Sequence, residues 1–222
     1  MSREEVVVLD CWCSSCAMRV KIALAEKGVE FECKDQNLAE KGSSLLLEMN
    51  PIHKLVPVLI HNGKPICESL LIVEYIDQVW THSSPLLPTD PYLRSQARFW
   101  GQFVDNKIYE GAKKVWRTKG EEEEKAKKEF IENLKILEGV INNQQFFGGD
   151  TLGYIDIALI PIAPWFYAFE KFGNFSIEAS CPKIVTWAKR CMEKSSVSGS
   201  LPDFDKFYYS FAFDIKKVLG LD

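Results

Sequence analysis

The stretch Val6-Val7-Val8-Leu9-Asp10-Cys11-Trp12-Cys13-Ser14-Ser15-Cys16-Ala17-Met18-Arg19 decides the reading of this chain. Its opening run of β-branched and aliphatic residues suits a strand over Val6–Asp10. A helix is expected over residues 15–27, with Gly28 placed just beyond its C-cap to close it. Hydroxyls and thiols crowd the turn between the two. Such a turn lies at the positive end of a helix dipole, where free backbone N–H groups stabilise a thiolate or another anion. Two chemistries fit it: a hydroxyl that handles a bound thiol, or sulfurs that react themselves.

Downstream, residues 29–33 alternate apolar and polar like a half-buried strand, which completes a βαβ unit with parallel strands. Residues 45–51 read as a short helical turn ended by Pro51. Residues 56–61 and 64–68 flank Asn62-Gly63, a two-residue hairpin signal. Ser69 then stands as a cap for a helix over residues 70–79, or with Glu68 as a hydroxyl and backbone site for a carboxylate. Residues 1–81 form one domain on this reading, and residues 82–89 have linker composition.

After the linker no strand is expected. Asp90-Pro91 starts a helix whose apolar positions recur every three or four residues until near Gly120. Glu121–Glu124 followed by lysines reads as the solvated start of the next helix. Phe146-Phe147-Gly148-Gly149-Asp150 is a turn, and Gly153 caps a helix that runs to about Phe172. Asp156 is placed to bond back to the cap N–H, and Pro161 and Pro164 should bend that helix. Further helices are expected from Pro182 to about Lys194 and from Leu201-Pro202 to about Leu219. Residues 90–222 thus form an all-helical second domain.

The chain has 222 residues, 46% of them apolar and 26% charged, which is enough for a substantial core in one or two domains. Its net charge of −4 argues against nucleic acid as a partner. No apolar run approaches the roughly 20 residues of a membrane span. The acidic start Met1-Ser2-Arg3-Glu4-Glu5 does not read as a signal peptide, so a cytoplasmic location with reduced thiols is expected. The seven cysteines are odd in number, and Cys11, Cys33, Cys67, Cys181 and Cys191 read as packing residues. His53, His61 and His82 show no ligand spacing against them, so no metal is expected.

With those segments in view, the chain resembles a plant cytosolic glutathione S-transferase of the tau class. The family's run Trp-Pro-Ser-Pro-Phe-Gly-Met-Arg-Val reads here Trp12-Cys13-Ser14-Ser15-Cys16-Ala17-Met18-Arg19-Val20. Ala-Leu-Ala-Glu-Lys-Gly at 23–28, Asn-Pro-Ile-His-Lys at 50–54, the run from Val56 to Ser69 and Phe-Gly-Gly-Asp at 147–150 extend the match over nearly the whole chain. The resemblance implies a thioredoxin-like N-terminal domain with a mixed four-stranded sheet, an all-helical C-terminal domain and a homodimer. It makes Ser14 the catalytic residue, donating a hydrogen bond to the glutathione thiolate. It assigns Lys41, Lys54, Val56, a cis Pro57, Glu68 and Ser69 to glutathione, the co-substrate, with no other cofactor. It points to Trp12, Cys16, Tyr109, Lys113, Trp116, Trp165, Phe169 and Phe211 for a hydrophobic substrate. The aromatic members equally suit a core, and Lys113 a solvated position. The implied activity is conjugation of glutathione to apolar electrophiles in detoxification and stress response, with a glutathione peroxidase side activity.

The departure lies at residues 13–17, where two prolines, a phenylalanine and a glycine give way to Cys13, Ser15, Cys16 and Ala17. The result imitates a Trp-Cys-x-x-Cys redox motif, so Cys13 and Cys16 are a candidate redox pair. Its register differs from that motif, because the resemblance puts Ser14 where a nucleophilic cysteine would stand. A thiol–disulfide or deglutathionylating reductase therefore stays as one alternative, and a non-catalytic carrier of apolar metabolites as another.

Overall fold

The computed structural model describes residues 4–37, 43–172 and 175–212. They divide into two compact units, Met1–Leu87 and Pro88–Asp222.

The first unit is built on a four-stranded sheet in the order β2-β1-β3-β4. β1 is Val6–Asp10, β2 Glu32–Asp35, β3 Val58–His61 and β4 Lys64–Cys67. β1 pairs parallel with β2 and antiparallel with β3, with Val8 opposite Cys33 and Leu59. Every residue of β1 is buried, which explains its unbroken apolar run. Val7 and Leu9 meet Val58, Ile60 and the fully buried Leu46 of α2 (Ser44–Met49) on one face. The helices α1 (Ser15–Glu26) and α3 (Ser69–Val79) pack against each other in the same unit. α1 ends as expected: Gly28, at φ 64°, donates to the Ala25 carbonyl, and Val29 donates to that of Leu24. These are the paired bonds of a Schellman cap.

Several boundaries differ from expectation. β2 starts at Glu32 rather than residue 29, and all its residues are exposed, because it is the edge of the sheet. Cys33 is therefore exposed rather than a packing residue. β3 starts after Pro57, which has no N–H to give to a ladder. Residues 84–87, expected in a linker, are tied to the first unit. Lys27 Nζ donates to the Ser84 carbonyl, and the Asp77 carboxylate accepts the N–H groups of Leu86 and Leu87.

Among its described residues the second unit has no strand longer than an isolated bridge. It comprises α4 (Pro91–Phe103), α5 (Glu110–Arg117), α6 (Glu121–Ile141), α7 (Tyr154–Leu159), α8 (Ala163–Phe172), α9 (Ile177–Ser180), α10 (Pro182–Met192), α11 (Ser195–Ser198) and α12 (Phe204–Phe207). Asp90 caps α4 by accepting the Leu93 N–H. The single long helix expected after it is interrupted by a π-helical segment over Val104–Tyr109 and stops at Arg117. Pro161 falls in a 3₁₀ turn, Ile160–Ile162, so the helix expected there is divided into α7 and α8. The last described helix starts at Phe204 under an Asp203 cap, not at residue 201, and the stretch beyond 212 lies outside the described residues.

At the head of α7 the Asp156 carboxylate is completely buried. It accepts from the N–H groups of Phe147, Gly148 and Gly153 and from Trp187 Nε1, all within 3.0 Å. The bond to the cap N–H is the one its sequence position predicts. Gly148 is fixed by contact, because a Cβ there would stand 2.6 Å from the Thr151 carbonyl oxygen.

Candidate active site

Trp12, Cys13, Ser14, Ser15 and Cys16 are all half-exposed at the end of β1. Ser14 is the N-cap of α1, with extended backbone at φ −77°, ψ 105°. Its Oγ accepts the Ala17 N–H at 3.2 Å, and its own N–H donates to the Cys11 carbonyl at 2.8 Å. These bonds fix a hydroxyl at the positive end of the helix. No residue of that first turn is acidic.

The sulfurs are arranged differently from expectation. Cys13 Sγ lies 3.4 Å from Cys11 Sγ, and Cys11 is buried. The structure thus brings Cys13 to Cys11, which sequence reasoning set aside as packing, rather than to Cys16. Burial, and next the hydrogen bond with Cys11, push the Cys13 thiol up to about 12. That favours the thiol over the thiolate at neutral pH and weakens Cys13 as a nucleophile.

The other residues assigned to glutathione sit on the segments after α2. The Val56–Pro57 bond is cis, with Val56 half-buried and Pro57 buried. Lys54 is exposed and has a positive φ of 57° in the loop before it. Buried Asn50 shapes that loop, accepting the His53 N–H and donating to the Leu55 carbonyl. Glu68, not Ser69, is the N-cap of α3, at φ 71° and without a side-chain cap bond. Its exposed carboxylate lies 2.6 Å from His53 Nδ1. Ser69 is buried, and its Oγ accepts from the guanidinium of Arg19 at 3.1 Å, so the simple-cap reading of Ser69 fails. Lys41 lies outside the described residues.

Sequence reasoning passed over His53 and Arg19. Arg19 carried a signal: it is a charged residue between Met18 and Val20 on a buried helix face, which requires a buried partner. His53 carried none, because its partner is 15 residues away.

In the second unit, Trp116 on α5 and Trp165 on α8 meet edge to face, with ring centroids 5.5 Å apart. Trp165 is half-buried and also touches Phe207. Phe169 is only 1% exposed and is packed by Phe130 and Trp116, so it is a core residue rather than a wall of an open pocket. Trp116 is 3% exposed in the same cluster, while Tyr109 is half-buried. Lys113 is exposed and paired with Glu110 at 2.6 Å, the solvated position of the two expected. The Phe211 side chain lies outside the described residues. Among the described residues, no group of three or more His, Cys, Asp or Glu is arranged to hold a metal ion, and no helix is long and apolar enough to cross a membrane.

Comparison with known proteins agrees with this arrangement. Residues 4–78 match the family described as glutathione S-transferase, N-terminal domain, and residues 91–194 match glutathione S-transferase, C-terminal domain. The chain is 58% identical over 221 residues to a probable glutathione S-transferase, parA, of Nicotiana tabacum, covering 100% of both. A rice glutathione transferase solved in complex with glutathione is 40% identical, with a TM-score of 0.93 over 98% of this chain and 99% of that one. A tau-class transferase from mango, Mangifera indica, is 37% identical, with a TM-score of 0.89 over 97% and 98%. A thioredoxin-like sheet unit, a hydroxyl capping its first helix, a helical second unit and full-length likeness in sequence converge: this chain is an enzyme of the glutathione S-transferase family.

Proposed function

We propose that this enzyme is a tau-class transferase that joins the thiolate of glutathione to hydrophobic electrophiles, with Ser14 stabilising the thiolate. The observation that carries the reading is the half-exposed Ser14 hydroxyl at the N-cap of α1, in a first turn without a carboxylate. A free thiol has a pKa of about 8.5, and only its thiolate attacks. A hydroxyl donor and a helix N-terminus both favour the anion. Lowering that pKa by about two units is worth roughly 2.7 kcal/mol and makes the thiolate the majority form near pH 7. Ser14 stays protonated throughout and acts as an oriented donor, as in an oxyanion hole. Holding the electrophile beside the sulfur supplies much of the remaining acceleration.

Glu68, Ser69, Lys54 and the Val56 backbone take the charged and amide groups of glutathione on this reading, and no other cofactor is needed. The electrophile is apolar and is received by half-buried aromatic side chains such as Tyr109 and Trp165. The enzyme works as a cytoplasmic homodimer in detoxification and stress response, and it reduces organic hydroperoxides as a side activity. The raised Cys13 thiol weighs against a reductase that attacks through Cys13, and the hydroxyl at position 14 against a mere carrier.

The test compares wild type, Ser14→Ala and Cys16→Ser in conjugation of glutathione to an aryl halide and in glutathione-dependent reduction of a small mixed disulfide. Conjugation that disappears with Ser14→Ala and survives Cys16→Ser supports the serine mechanism. Dominant disulfide reduction that collapses with Cys16→Ser overturns it.

A further inference from the structure

We infer that Cys11 and Cys13 are a reversible disulfide-forming site beneath the Ser14 turn, with glutathione disulfide as its oxidant. Their sulfurs already stand 3.4 Å apart, Cys11 buried and Cys13 half-exposed. Cys13 is the sulfur an outside oxidant reaches, and Cys11 is the one positioned to resolve it. The spacing Cys-x-Cys closes a smaller ring than Cys-x-x-Cys, and strained disulfides are the readily reduced, regulatory kind.

The chemistry balances with no further reagent. The small fraction of Cys13 that has given its proton to solvent attacks one sulfur of glutathione disulfide, so this step is slow at neutral pH and quickens as pH rises. The S–S bond of the oxidant breaks and glutathione leaves as a thiolate, which takes up a proton. Cys11 then loses its proton and attacks the Cys13 sulfur of the mixed disulfide, releasing the second glutathione. Two protein thiols are oxidised by two electrons, and glutathione disulfide is reduced to two glutathione molecules.

The consequence for activity rests on the Ser14 reading. The Cys11 carbonyl accepts the Ser14 N–H at 2.8 Å, so the residues that close the ring also support the catalytic hydroxyl. Drawing the two sulfurs into bonding distance shifts that support and withdraws Ser14 from the thiolate. A displacement of the order of 1 Å at such a group costs up to about a hundredfold in rate.

The experiment treats the reduced full-length protein with excess glutathione disulfide, alkylates it with iodoacetamide and maps the tryptic peptide that ends at Arg19. Wild type and Cys16→Ser should show Cys11 and Cys13 unalkylated and the peptide two hydrogens lighter, reversed by dithiothreitol. Conjugation by oxidised wild type should fall by up to about a hundredfold and return on reduction. Cys13→Ala and Cys11→Ala should form no disulfide and lose no further activity with the oxidant; Cys13, being half-exposed, is the substitution least disturbing to the fold. Loss of the disulfide in Cys16→Ser, or a stable glutathione adduct in its place, overturns the site. A disulfide with undiminished conjugation overturns its coupling to Ser14. If reduced protein conjugates nothing, the proposed function fails, while the mass readout still decides the disulfide.

Discussion

Two helix N-termini in this chain meet the same electrostatic demand in opposite ways. At α7 the chain fills the site itself, with a buried carboxylate that takes three backbone N–H groups and an indole N–H. At α1 the N-cap is a half-exposed serine and the first turn holds no acidic residue. The first arrangement joins the 146–153 turn, α7 and α10 into one structure. The second keeps positive potential available to an anion that arrives from outside. A carboxylate at N3 makes one terminus a fold anchor, and a hydroxyl at the N-cap leaves the other a reactive site.

The largest expected effect breaks the anchor. Asp156→Ala leaves its buried donors unsatisfied and should destabilise the protein by about 3–5 kcal/mol, read as a lower denaturant midpoint. A shift under about 1 kcal/mol would remove Asp156 from that role. At the other terminus, Ser14→Ala should lower kcat/KM for conjugation roughly 10²–10³-fold. Its cost in stability should be only about 1 kcal/mol, from the lost cap. Ser14→Thr, which keeps a hydroxyl, should recover a measurable part. Equal losses of stability at both termini would dissolve the contrast.

Acidity sharpens the comparison. Burial raises the Asp156 carboxyl to about 6 from its ordinary 3.8, against the pull of its hydrogen bonds. The folded chain therefore holds this proton more tightly than the unfolded chain. The resulting stabilisation, about 3 kcal/mol, is complete below pH 3.8 and is lost as pH rises through about 6. Unfolding curves of wild type and Asp156→Asn between pH 4 and 7 should diverge by this slope, and parallel curves would refute it. The smallest effect concerns His53, whose exposed pairing with Glu68 is of the surface kind. His53→Ala should raise KM for glutathione by up to about fivefold with kcat unchanged. A change in kcat alone would show that His53 does something other than orient Glu68.

The sequence by itself determined the elements and their order: the strand, turn and helix around Ser14, the Asn62-Gly63 hairpin, the Gly28 stop and the Asp156 bond at the head of α7. Each is a local rule of capping, turn chemistry or periodicity that needs only neighbours in the chain. Contacts between distant residues lay beyond such rules. The tertiary structure decided that the Ser69 hydroxyl meets Arg19, 50 residues away, while the N-cap position of α3 falls on Glu68. It decided that Phe169 is core, because Phe130 and Trp116 close over it. Cys13 meets Cys11 rather than Cys16 for a local reason the spacing did not reveal: the turn directs those two sulfurs together, while Cys16 lies on the first turn of α1. Spacing along a chain sets which groups can approach, and packing in three dimensions selects which of them do.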